Sequence, residues 1–285
     1  MSEKISSSKL KLVLHESADE VEKGDDCGIS LEKLNIGPRK KLLVLDLGGL
    51  LLHRAHFRNK ASIPKFRKCD ETFGNFLVFK RPFCDEFLKF CFDNFEVGLW
   101  SSAMGLNVDG VLDFTMRTLR RRLLFVWNQS ECTDTGFYDL EKKERPIFLK
   151  EMKKLWDKDK SSLPWPKGRY SSSNTLLIDD TPYKALLNPV VQMDIHIGPR
   201  GELRLFLEGL VEADDVPTYV KEHRIGQPEI TFMHQDWKFY SKIIEKFCKG
   251  SSSAGTKNGS SSDGTKDGMA SAGSKDGSSS AGTKD

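Results

Sequence analysis

The sequence predicts an α/β fold around a central, mainly parallel sheet. Three observations carry that prediction. Apolar runs of strand length alternate with stretches of helical spacing between residues 39 and 248, the pattern of βαβ units. Each run is short and nearly all apolar, as in strands covered on both faces. Three of them end on polar residues: LLVLDL at Asp46, FEVGLWSS at Ser101 and NTLLIDD at Asp179. In open parallel sheets, chemistry gathers beyond the carboxyl ends of the strands, so these endings mark one functional edge.

The elements follow in order. LLVLDL (42–47) is a buried strand ending on one carboxylate, with Gly48 and Gly49 directly after it. NFLVFKRP (75–82) is a second strand, closed by Pro82. CDEFLKFCFDNF (84–95) has helical spacing, with Phe87, Leu88, Cys91 and Phe92 on one side. FEVGLWSS (95–102) is a strand ending in serines, VDGVLDFTMRTLRR (108–121) a helix and RLLFVW (122–127) a strand. IFLKEMKKLWDK (147–158) reads as a helix carrying Lys150, and NTLLIDD (174–180) as a strand ending in two carboxylates. LRLFLEGLV has helical spacing, and WKFYSKIIEKF reads as a last helix packed back on the sheet.

The flanks differ in kind. Residues 1–38 are polar without sustained periodicity, which predicts a mobile arm before a domain over residues 39–248. Residues 249–285 hold a nine-residue Ser/Gly/Lys/Asp unit written four times. Such a segment has nothing to bury against the entropy of ordering, so a disordered tail is expected. A net charge of +3 with 30% charged residues is too mild to indicate nucleic acid or a membrane surface. The six cysteines form no metal-ligand spacing and read as free thiols of a reducing compartment. No apolar run reaches the roughly 18 residues of a membrane span. The N-terminal residues lack the apolar run of a signal peptide and the arginines of a transit peptide. A cytoplasmic or nuclear location is the expectation.

The residue types at the strand ends suggest a reaction. Asp46 can be approached closely, because Gly48 and Gly49 bring no side chains. Asp179 and Asp180 bring two more carboxylates. Clustered carboxylates repel unless a cation lies among them, and hard oxygen donors suit Mg²⁺. Ser101 can donate to a phosphate oxygen, and Lys150 can add positive charge. Carboxylate, Mg²⁺, hydroxyl and ammonium together suit phosphoryl transfer through an aspartyl-phosphate.

At these residues the chain resembles the haloacid-dehalogenase (HAD) superfamily, in its FCP/SCP branch of aspartate-based protein phosphatases. Within that branch it is most similar to plant members with an altered first motif. The family's D-x-D-x-[T/V] reads Asp46-Leu47-Gly48-Gly49-Leu50 here. Its Ser/Thr motif is Ser101, its Lys motif Lys150, and its acidic pair Asp179-Asp180; RPFCDEFL (81–88) resembles the segment before the second motif. The resemblance implies a Rossmann-like HAD core with a β-hairpin insertion after the first strand, roughly residues 52–80. It also implies Asp46 as nucleophile, Ser101 and Lys150 as phosphate ligands, and a Mg²⁺ set of Asp46, the Gly48 carbonyl and Asp179. Asp180 would support the set.

One departure matters most. Gly48 stands where the family's second Asp protonates the leaving group and activates water. Its carbonyl remains, but glycine moves no proton. General acid–base catalysis is typically worth about 10²–10⁴ in rate. Leu50 also replaces the usual Thr or Val. Two functions follow. One is an impaired, Mg²⁺-dependent phosphatase acting on phosphoserine or phosphothreonine proteins. The other is a non-catalytic protein-binding module of the same fold, as in the presequence-receptor subunit of the mitochondrial inner-membrane translocase. Family analogy alone would place the chain in mitochondria.

Overall fold

A computed structural model describes residues 39–157, 162–188, 190–192, 197–227 and 229–248. The expected arm over 1–38 and the repeat tail over 249–285 lie outside the described residues. The chain divides into two units, Met1–Lys40 and Lys41–Asp285. Among the described residues, every strand and helix belongs to the second.

β1 (Leu42–Leu45) is buried along its whole length. It occupies the middle of a five-stranded sheet, because both of its faces are apolar and both need cover. The strands are β5 (Glu96–Trp100), β6 (Val126–Trp127), β9 (Thr175–Asp179) and β10 (Val190–Gln192), in the order β10-β9-β1-β5-β6. All four pairings are parallel. The alternation of a strand divides the core in two. Leu43, Leu45, Val97, Leu99, Leu176 and Ile178 face one way, onto α1 (Cys84–Asn94), α2 (Gly105–Met116), α4 (Glu202–Glu212) and α5 (Val216–Glu222). Leu42, Val44, Trp100 and Leu177 face the other, onto Leu155, Leu163, Trp165 and Tyr170. This is the Rossmann-like α/β core the sequence predicts.

Register then positions the functional edge. Leu45 pairs with Leu99 of β5 and with Ile178 of β9. Asp46 and Asp179 therefore stand level at adjacent strand ends, with Ser101 two residues past Leu99 on the other side. The Asp46 amide donates to the Ile178 carbonyl at 3.0 Å, extending the pairing to the aspartate itself.

The insertion after β1 is larger than a hairpin. β2 (Leu52–His56), β3 (Glu71–Phe73) and β4 (Phe76–Lys80) form an antiparallel sheet in the order β2-β4-β3. Three other elements differ from the sequence expectation. The 122–127 strand is only Val126–Trp127, since a 3-10 turn occupies Arg117–Arg122. The 147–158 helix is in fact β8 (Pro146–Leu149) followed by one helical turn, α3 (Lys153–Trp156). β8 pairs antiparallel with β7 (Thr133–Tyr138), and that pairing overrides the apolar spacing that resembled a helix. Lys150 thus leaves the end of a strand. Finally, α6 (Trp237–Cys248) packs away from the main sheet. Its Tyr240 and Ile243 cluster with Ile147, Leu149 and Tyr183, and Lys246 Nζ donates to the Thr135 carbonyl at 2.8 Å. The last helix braces the β7–β8 hairpin.

Candidate active site

Two lysines and three aspartates meet beyond β1 and β9. Lys150 Nζ lies 2.7 Å from Asp46 Oδ1 and 2.6 Å from Asp179 Oδ2. Lys184 Nζ lies 2.9 Å from Asp179 Oδ1, 3.2 Å from Asp180 Oδ1 and 3.3 Å from Asp46 Oδ2. Lys150 and Asp179 are fully buried, and Asp46 and Lys184 nearly so. Charges this buried persist only when paired, and here each pairs twice or more.

The backbone delivers both lysines. Lys150 follows the last residue of β8, and Lys184 sits in a 3-10 turn over Pro182–Ala185. The Lys150 amide donates to the Lys184 carbonyl at 2.7 Å, so the two segments are tied together. Asn188 closes the same corner. Its carbonyl oxygen accepts from the Met152 amide at 3.0 Å, and its amide donates to the Lys150 carbonyl.

The acidic pair is split by environment. Burial alone would raise the Asp179 carboxyl, but the charges of Lys150 and Lys184 hold it far below the usual carboxylate range. It also accepts the Thr181 amide at 2.9 Å. Asp180 moves the other way. Burial pushes it up against the attraction of Lys184, and the negative charges of Asp179 and Asp46 add to the rise. Burial would likewise lower the Lys184 ammonium, but Asp179, Asp46 and Asp180 hold it well above its ordinary value.

These groups floor a cavity of about 490 Å³. Asp46, Gly48, Ser101, Asp180 and Lys184 line it; His53, Arg54, Lys142 and Arg145 stand on its walls. Lys150 and Asp179 lie behind the lining. The Ser101 hydroxyl faces the cavity while accepting the Ala103 amide at 3.2 Å. The turn after Asp46 depends on Gly49, whose φ of +80° disfavours any side chain. An added Cβ there would lie 1.7 Å from Asp180 Oδ2. Arg81 Nε holds the Gly49 carbonyl at 2.7 Å. At Gly48 the situation is reversed, since an added Cβ would meet no heavy atom within 4 Å.

Oxygens of Asp46, Asp179 and Asp180 lie within 4.8 Å of one another. An all-carboxylate set of this size fits a hard divalent cation, and Gly48 lines the same cavity. Lys184 is the residue that sequence reasoning missed. Its only signal was a lysine five residues past Asp179, inside a stretch that reads as a turn. Arg54, Lys142 and Arg145 of the walls were also missed, because they come from β2 and from the β7–β8 hairpin.

The model of the NLI interacting factor-like phosphatase family matches residues 41–197, more than half of the chain. The chain belongs to this family. It is 27% identical over 151 residues to an uncharacterized FCP1 homology domain-containing protein of Schizosaccharomyces pombe, covering 53% of this chain and 58% of that one. It is 25% identical over 196 residues to a probable C-terminal domain small phosphatase of Dictyostelium discoideum, covering 65% and 55%. The chain thus spans under two thirds of the length of both relatives. Two solved structures of the RNA polymerase II CTD phosphatase Fcp1 are more distant. The fission yeast protein bound to beryllium fluoride is 15% identical, with a TM-score of 0.36 over 78% of this chain and 58% of that one. The other is 14% identical, with a TM-score of 0.35 over 75% and 64%. Family membership and the five-stranded parallel sheet make the core HAD-like. Among the described residues, no helix is long and apolar enough to cross a membrane.

Proposed function

We propose that this chain is an aspartate-based phosphatase of reduced rate, acting on phosphoserine or phosphothreonine proteins. One observation carries the reading. Asp46 lines an open cavity beside Gly48, where a side chain would have room but none exists. The place of the nucleophile is filled and the place of the proton carrier is empty.

In this reading the phosphate dianion is drawn in by Arg54, Lys142 and Arg145. Ser101 donates to a phosphate oxygen. Lys150 fixes the rotamer of Asp46 through its 2.7 Å contact, and Asp46 attacks phosphorus as the ester P–O bond breaks. The departing serine or threonine oxygen takes its proton from water, because Gly48 supplies none. Water then hydrolyses the aspartyl-phosphate. Mg²⁺, when bound, would neutralise phosphate oxygens; Asp46, the Gly48 carbonyl and the acidic pair would hold it.

The test is hydrolysis of a phosphoserine peptide and of an aryl phosphate by the full chain, Asp46→Asn and Gly48→Asp. Asp46→Asn abolishes turnover on both. Gly48→Asp raises peptide turnover about 10²–10⁴-fold. It raises aryl phosphate turnover less, because a leaving group of low pKa needs little protonation. A second reading is favoured by the same Gly48, namely a module that binds phosphoprotein without turning it over. It replaces the first if neither the natural chain nor Gly48→Asp hydrolyses the peptide while the natural chain retains it.

A further inference from the structure

A divalent cation among carboxylates takes one oxygen from each of several residues, at their point of convergence. In this chain an ammonium stands at that point. Lys184 Nζ contacts one oxygen from each of Asp46, Asp179 and Asp180, at 3.3, 2.9 and 3.2 Å. It is 3% exposed, yet it belongs to the cavity lining. Its backbone is anchored on both sides: its amide donates to the Thr181 carbonyl at 3.2 Å, and its carbonyl accepts the Lys150 amide. A rigid turn therefore presents the side chain to the trio, and only its four-carbon stem is free to move.

Charge counting shows what the ammonium changes. Three carboxylates with Lys150 alone would leave two negative charges, the deficit a divalent ion neutralises. With Lys184 in place the deficit is one. A divalent ion joining the full set would leave one excess positive charge in a buried site, with like charges close together. Lys184 also occupies one carboxylate oxygen of each residue, so the ion's ligands are already engaged.

We propose that the Lys184 ammonium is the resident cation of this carboxylate trio and competes with divalent metal for it, so that the affinity of the chain for Mg²⁺ is set by displacement of Lys184. The inference rests on reading the trio as a cation site, and is independent of whether the protein turns over substrate.

The experiment is metal binding by the full chain, without substrate. Mn²⁺ binding is read from loss of the free-ion electron paramagnetic resonance signal, and Mg²⁺ binding by competition against it. The variants are Lys184→Met, which keeps the stem and removes the charge, and Lys184→Gln, whose amide still donates to a carboxylate. Both bind at least ten-fold more tightly than the natural chain, and their thermal midpoints rise more steeply with Mg²⁺. Adding Asp180→Asn to Lys184→Gln returns the affinity toward the natural value, which locates the ion. If Lys184→Met fails to fold, Lys184→Gln decides. Equal affinity in Lys184→Gln and the natural chain, including no binding by either, overturns the proposal. So does a gain that survives Asp180→Asn. Failure of the phosphatase reading alone leaves these binding results standing.

Discussion

β1 and β9 are neighbours with nearly the same sequence logic, and their ends diverge completely. Each is a short buried strand that closes on an aspartate at the same level of the sheet. After Asp46 the chain gives Leu47, Gly48 and Gly49, so that edge carries no side chain able to move a proton. After Asp179 it gives Asp180, Thr181 and, in the next turn, Lys184, so that edge has gained a charge. One end carries no proton-transfer side chain, and the other brings an ammonium to the carboxylates. Two strands of one sheet can therefore end at the same level and differ in chemistry through the residues just beyond them.

The comparison can be broken most forcefully within the acidic pair. Asp179→Asn leaves Lys150 and Lys184 short of a buried partner, and it destabilises the protein by about 3–5 kcal/mol at neutral pH, read by urea unfolding. The sign with pH follows from the lowered Asp179 carboxyl. Folding favours its ionised form, so its contribution is complete above the unfolded value of about 3.9 and fades as pH falls below it. The deficit of Asp179→Asn therefore shrinks in acid. Asp180 has the opposite sign. Its raised carboxyl stabilises the fold at low pH, and that contribution is lost as pH rises through the folded value. Asp180→Asn gains on the natural chain as pH rises from 3.5 to 7. Parallel pH trends in the two variants would remove the claim that the pair is divided.

The two glycines sharpen the comparison at the other end. Gly49→Ala places a Cβ at a φ of +80° and 1.7 Å from Asp180 Oδ2. It costs about 1–3 kcal/mol in thermal or urea unfolding. Gly48→Ala meets open space, and its stability stays within about 0.5 kcal/mol of the natural chain. Equal losses at the two positions would mean that Gly48 is held by packing rather than being an emptied functional position.

How much of this was legible depends on the range of the forces involved. Asp46, Ser101 and Asp179 were readable as strand ends, because apolar runs bounded by polar residues need only local pattern. The sequence marks Lys150 as well, but places it on a helix. The 3.6-residue spacing of Ile147, Lys150 and the residues after it competed with a hairpin pairing to Thr133–Tyr138 that local pattern does not reveal. α6 was legible as a helix, whereas its packing on Ile147, Leu149 and Tyr183 was not. Lys184 was passed over because a lysine after DDTPY reads as a solvated turn residue, which most exposed lysines are.

The sequence by itself determined the α/β class, the central buried strands, the order of the motifs and the absence of a side chain at Gly48. Those follow from periodicity and residue chemistry, which act over a few positions. Only the tertiary structure decided which charges share the site. Lys150 and Lys184 are drawn from separate segments to Asp46 and Asp179, which stand together because β1 and β9 pair in register. A buried charge is stable only beside its opposite, and that proximity is a property of the folded chain.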